Sequence, residues 1–271
     1  MTDSKEPKES ARESPENPYF SLQADWGISK HFGGRTATCE LADMCHVGAD
    51  TRVLIVGCGI GVTASFLAEH YGSTVTGIDI SPGMVQRARE RVRKWQLQGL
   101  VDIRQADATA LPFHDGTFDV VICESVNAFI SEREMAMHEY YRVLTPRGYL
   151  GINECVWLHE PPSSLRRYIT RIMDAEFPTV NGAGWDEPVA RAGFEIVFVA
   201  TRTTTIWRQW REEMRQTDVQ DFGRAWGRML VSCPRDPACR RFVRDALRMP
   251  AAAFRFLQYF GYQLCVGRRT A

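Results

Sequence analysis

The chain has 271 residues, 44% of them hydrophobic, with 33 basic and 33 acidic side chains and a formal net charge of zero. This length accommodates one large domain or two small ones with a proper core. The balanced charge argues against a dedicated nucleic-acid binder. No apolar run approaches the ~20 residues of a bilayer span, and the polar N-terminus lacks the apolar stretch of a secretory signal, so a cytoplasmic location is expected.

The first 18 residues are polar, carry prolines at 7, 15 and 18, and read as a disordered tail. Residues 19–271 read as one domain, with 19–50 as an N-terminal cap that breaks at "HFGG" (His31–Gly34). Regular alternation then begins. "RVLIV" from Arg52 predicts a buried strand, and Ile60–Tyr71 a helix closed by Gly72. "STVTGID" predicts a second strand, followed by a helix that Ser81 can cap and Pro82 can start. "VDIRQAD", "FDVVICES" and "GYLGINECVWL" continue the strands, with the amphipathic "EREMAMHEYYRVL" before the last of these. Strand and helix alternating at this spacing predict a parallel sheet covered on both faces. Beyond it come two shorter helices, a sixth strand at Phe194–Ala200, a helix-rich insertion over 202–257 and a final strand, "YFGYQLCVGRR".

Eight cysteines, at 39, 45, 58, 123, 155, 233, 239 and 265, include no C-x-x-C pair. They read as scattered reduced thiols, most of them acting as small buried hydrophobes, and no metal site is expected.

Three features carry the chemistry. Gly57, Gly59 and Gly61 fall where the first strand hands over to a helix, where free N–H groups and a positive dipole end await a ligand. The spacing is G-x-G-x-G, not the G-x-G-x-x-G of dinucleotide binders, and no lysine is present for a triphosphate. A turn serving packing alone remains the bland alternative. Asp79 ends the second strand, where a carboxylate can accept from both hydroxyls of a ribose; capping the next helix is its other reading. Asp107 follows the third strand and can accept from an exocyclic adenine amine, with the Ala108 N–H beside it, or can simply form a turn.

Taken in order, "VLIVGCGIG", "VTGIDIS", "QADATALPFHDGTFDVVICES" and "EYYRVLTPRGYLGINE" resemble the class I S-adenosylmethionine-dependent methyltransferases, in the small-molecule, type 11-like group. The resemblance is good over roughly residues 45–200. It implies an α/β Rossmann-like fold, a seven-stranded, mostly parallel sheet with an antiparallel last strand, helices on both faces and a helical insertion before that strand. It implies S-adenosyl-L-methionine as cofactor. Gly57, Cys58, Gly59 and Gly61 would hold the methionine portion, Asp79 and Ile80 the ribose and adenine face, and Asp107 and Ala108 the adenine. Glu124 would lie where the site opens toward sulfonium and acceptor. Val56 departs from the family, which often has Asp there.

The cofactor carries the hard chemistry, so a base is needed only if the nucleophile arrives protonated. Glu124 and His31 are the candidates. Glu154 is a further carboxylate expected to face the crevice, and His114 is expected in an exposed loop. For His31 the residues leave two readings: a surface-loop histidine, or a group folded over the methyl donor. The insertion, with Trp207, Trp210, Phe222 and Trp226 among many arginines, admits three: a helical lid with aromatics packed inward, an apolar acceptor pocket, or a basic docking face. Thiol-dependent metalloid methylation is a narrower alternative prompted by Cys39, Cys45, Cys123 and Cys155. The expected function is methyl transfer to a small-molecule acceptor. The rivals are a non-catalytic cofactor-binding subunit and an enzyme acting on protein or RNA; a homodimer is left open.

Overall fold

The computed structural model describes residues 31–173, 175–179, 184–205, 207–209, 211–212 and 256–271, with isolated positions between 223 and 244. The polar tail, the first part of the cap and most of the 202–257 insertion, with Trp210, Phe222 and Trp226, lie outside the described residues.

The elements in chain order are α1 (Gly34–Met44), β1 (Arg52–Val56), α2 (Val62–Tyr71), β2 (Thr74–Asp79), α3 (Pro82–Lys94), β3 (Val101–Gln105) and β4 (Phe118–Glu124). They continue with a 3₁₀ turn (Asn127–Phe129), α4 (Arg133–Val143), β5 (Leu144–Trp157), α5 (Ser163–Met173), α6 (Asp186–Arg191), β6 (Phe194–Arg202), α7 (Phe256–Tyr259) and β7 (Phe260–Arg269). The seven strands form one sheet in the order β3-β2-β1-β4-β5-β7-β6. β1 runs parallel to β2 and β4, and β4 parallel to β5. β7 is antiparallel to both β5 and β6, as the family resemblance implies.

The period of two along each strand divides the core between the sheet's faces. Val53 and Ile55 pack with Leu41 of α1, Leu67 of α2 and Ala88 of α3. Leu54 and Val56 point the other way, toward Met137 and Tyr140 of α4 and Val189 of α6. Each such aliphatic side chain contributes about 1.5–3 kcal/mol when fully buried. A third cluster caps the C-terminal end of β5, where Trp157, Phe177, Trp185 and Phe260 pack with Leu165 and Ile169 of α5. Phe32 and Phe129 border it.

Helix ends follow local chemistry. Ser81 Oγ accepts from the Met84 N–H at 3.4 Å and caps α3, with Pro82 in its first turn. Gly61 and Gly72 adopt left-handed conformations at the two ends of α2. α2 begins two residues later than the sequence suggests, because the glycine turn extends through Gly61. The ends of β1, β2 and β4 therefore open on one edge of the sheet, where an open α/β sheet takes its ligands.

Candidate active site

Gly57, Gly59 and Gly61 all have positive φ, at 64°, 52° and 79°. An L side chain at Gly57 would also collide: an ideal Cβ there lies 2.2 Å from Val126 Cγ2. The turn is held from beneath by Asp79. Its Oδ2 accepts from the Gly59 N–H at 2.8 Å and its Oδ1 from the Ser81 N–H at 3.0 Å. The carboxylate thus joins the turn after β1 to the turn after β2, in addition to any ligand it receives. Ser81 caps α3, so the capping alternative for Asp79 describes only one of its two oxygens.

Ile80 follows with 67% of its surface exposed, a bare apolar face beside that carboxylate. Asp107 is exposed, and its Oδ1 accepts from both the N–H and the hydroxyl of Thr109 at 2.8 Å. It is a turn former at one oxygen, which leaves the other available. Ala108 is half-buried beside it. Cys58 is buried, and desolvation with the nearby Asp79 charge pushes its thiol pKa up, so the thiol is inert.

Glu124 is the last residue of β4, and its side chain is only 5% exposed. Thr63 Oγ1, in the first turn of α2, donates to Glu124 Oε2 at 2.7 Å. Thr38 Oγ1, on α1, donates to Oε1 at 2.9 Å. His31 Nε2 lies 3.6 Å from the same Oε1 and 3.1 Å from Thr38 Oγ1. His31 is 8% exposed, which corrects the surface-loop reading: the segment before α1 folds back over the strand ends and buries the imidazole. Two candidates far apart in sequence therefore share one hydrogen-bonded group.

Glu154 does not face the crevice. It is fully buried, and its Oε1 accepts from the Val126 N–H at 2.8 Å, the Asn127 N–H at 2.6 Å and Asn127 Nδ2 at 3.1 Å. Burial pushes its pKa up to about 7 against the lowering effect of those donors. The reason for the difference is register. Asn153 and Glu154 are neighbours on β5, so they point to opposite faces; Asn153 takes the Glu124 side and Glu154 the α4 side. Glu154 organises the loop after β4, in which Ser125 has φ +58° and Val126 presses on Gly57.

His114 is exposed, as expected. Trp207 is 77% exposed, so at that position the packed-inward reading of the insertion does not hold. Val56 is buried in the core. Among the described residues, six cysteines are free thiols, five of them buried, and no cluster of metal-ligating side chains occurs. No described helix is long and apolar enough to cross a membrane.

Sequence reasoning missed Thr38, Thr63 and Asn153. The pair Asn153-Glu154, two polar residues inside an otherwise apolar strand segment, was a visible signal. Nothing local marks Thr38, whose partner comes from another element.

Residues 54–152 match the family model for a methyltransferase domain. The chain is 37% identical over 123 residues to methyltransferase GfsG of Streptomyces halstedii, an alignment covering 45% of this chain and 44% of that protein. Among solved structures it resembles the [4+2]-cyclase SpnF, with TM-score 0.71, 22% identity, and coverage of 94% of this chain and 93% of that one. It also resembles phosphoethanolamine N-methyltransferase 2 of Haemonchus contortus in complex with S-adenosyl-L-methionine, with TM-score 0.65, 18% identity, and coverage of 93% and 57%. The chain spans less than two thirds of the length of the curated relatives it matches.

Proposed function

The chain belongs to the class I S-adenosylmethionine-dependent methyltransferases, and from that premise we propose that it transfers a methyl group to a small-molecule acceptor. The observation that carries the reading is the position of Glu124, hydrogen-bonded on one side to Thr63 at the glycine turn and on the other to the Thr38–His31 cap.

The residues fit the cofactor. The turn from Gly57 to Gly61, bare of side chains apart from the buried Cys58 and Ile60, and the start of α2 suit the methionine portion. Asp79 suits the ribose, and the exposed face of Ile80 with Asp107 and Ala108 suits the adenine. When bound, S-adenosylmethionine supplies a methyl carbon already activated by the neighbouring sulfonium.

The chain's own work is then positioning and proton handling. Glu124 and His31 receive the proton that a hydroxyl or amine nucleophile loses as its bond to carbon forms. As leaving group, the bound cofactor would keep the electron pair of its bond to that methyl. Thr38 and Thr63 hold both carboxylate oxygens of Glu124 in place. His31 and Phe32, folded against the strand ends, keep water out. The cap over the site and the zero formal charge favour a small molecule over protein or RNA as acceptor.

Calorimetry with S-adenosylmethionine and S-adenosylhomocysteine tests the binding half of this reading, and a donor-consumption screen across metabolite classes tests the transfer half. If neither nucleoside binds at micromolar concentration, the reading is wrong. The same fold serves the [4+2]-cyclase SpnF, so turnover, not binding, decides transfer.

A further inference from the structure

The segment that carries His31 is held from two sides. Toward the sheet, His31 and Thr38 meet Glu124, and Asn153 Nδ2 donates to the Phe32 carbonyl at 3.0 Å. On the far side stands Gln209, which follows β6 in the helical segment 207–209. Its Nε2 donates to the His31 carbonyl at 3.1 Å, and its Oε1 accepts from the Gly33 N–H at 3.2 Å.

Both ends of one amide are used, and the contact chemistry sets its orientation. A rotated amide would put oxygen against the His31 carbonyl and N–H against the Gly33 N–H. The clamp closes on a backbone with little freedom of its own. Gly33 has φ +78°, and a Cβ there would lie 2.6 Å from the Tyr262 ring and from Ala37 Cβ. One side chain late in the sequence thus grips the peptide units on both sides of Phe32 and presents the imidazole to Glu124. The Arg202–Glu40 ion pair independently ties the end of β6 to α1, so the two segments stay joined without the clamp.

We infer that Gln209 is a positioning residue for proton transfer: it couples docking of the helical segment 207–209 to the assembly of the His31–Glu124 pair. The inference rests on the proposed role of that pair. It gives the late segment a part in catalysis that does not require contact with the methyl donor. Without the Gln209 amide, His31 loses the grip that holds it on Glu124, and the base is disassembled.

The test is a spectroscopic double-substitution cycle in the full chain with S-adenosylhomocysteine present. The His31 ring signal is assigned by its loss in His31→Asn. In the otherwise unaltered protein, Glu124→Gln shifts that signal. In the Gln209→Ala background the same substitution is expected to shift it by less than about half as much, while affinity for S-adenosylhomocysteine stays within about twofold. Gln209→Glu keeps the Gly33 contact but sets a carboxylate against the His31 carbonyl, and it is expected to behave as Gln209→Ala does; it serves if the alanine variant does not fold. Equal responses in both backgrounds overturn the inference. Absence of nucleoside binding in every variant would instead overturn the proposed function, with the ring signal still deciding the role of Gln209.

Discussion

His31 Nε2 and Glu124 Oε1 lie 3.6 Å apart, joined through Thr38 Oγ1, which is 2.9 Å from the carboxylate and 3.1 Å from the imidazole. A histidine from the cap and a carboxylate from the end of β4 form one buried polar unit beside the glycine turn. If this unit handles the acceptor's proton, His31→Ala lowers turnover by about 10²–10⁴-fold. Affinity for S-adenosylhomocysteine should change by less than about threefold, because the residues proposed to face the nucleoside are untouched. Steady-state rates, with the acceptor found by the donor-consumption screen, check the first half and calorimetry the second. Unchanged turnover removes His31 from the mechanism.

Asp79→Ala removes the acceptor of two backbone N–H groups as well as the expected ribose contact. It should cost on the order of 1–3 kcal/mol of stability. S-adenosylhomocysteine should bind at least about 100-fold more weakly, since the proposed charge-assisted bonds to both ribose hydroxyls would be lost. Asp79→Asn keeps one acceptor oxygen and should fall between. Thermal melts and calorimetry on the pair would show whether turn and ligand share this carboxylate; wild-type affinity in the alanine variant argues that they do not.

Gly57→Ala meets two obstacles, a φ of +64° and Val126 Cγ2 at 2.2 Å from the new methyl. The conformational part costs roughly 1–2 kcal/mol. Combining it with Val126→Ala removes the contacts at 2.2 and 2.8 Å and leaves the conformational part with a tight 3.1 Å approach to the residue 126 Cβ. The double variant should therefore melt above Gly57→Ala alone yet below wild type. A double variant no better than the single one would show that Val126 yields without cost.

Glu154 gives a pH prediction. Burial raises its pKa from 4.5 to about 7 in the folded protein. Between those values the folded chain holds a proton that the unfolded chain has released, so stability declines as pH rises through that window. Its favourable contribution is full below pH 4.5 and lost above about pH 7. Glu154→Gln keeps an acceptor for the Val126 and Asn127 N–H groups but never ionises. Its stability relative to wild type should improve from about pH 5 to about pH 8 and then level off, by no more than on the order of 3 kcal/mol. Melting temperatures across that range decide the matter, and a constant difference contradicts a buried charge.

Much of this was legible in the residues. The glycine spacing, Asp79 and Asp107 were readable because each sits at a strand end, and strand ends follow from local hydrophobic runs. The alternation of strands and helices was readable for the same reason. The environments of His31 and Glu154 were not. A histidine in a glycine-rich break looks exposed until a distant carboxylate is folded against it. A carboxylate within β5 has two possible faces, and one residue of register decides between the crevice and the interior.

The layered α/β architecture and the strand ends that carry the glycine turn follow from the amino-acid sequence, because they depend on short-range periodicity and on glycines that tolerate positive φ. Which polar groups meet was settled by the tertiary fold. The Thr63–Glu124–Thr38–His31 unit, the loop gripped by Glu154 and the clamp of Gln209 on the His31 backbone each join elements remote in the chain. Such pairings depend on side-chain direction and strand register, and they form only once the sheet has closed around its core.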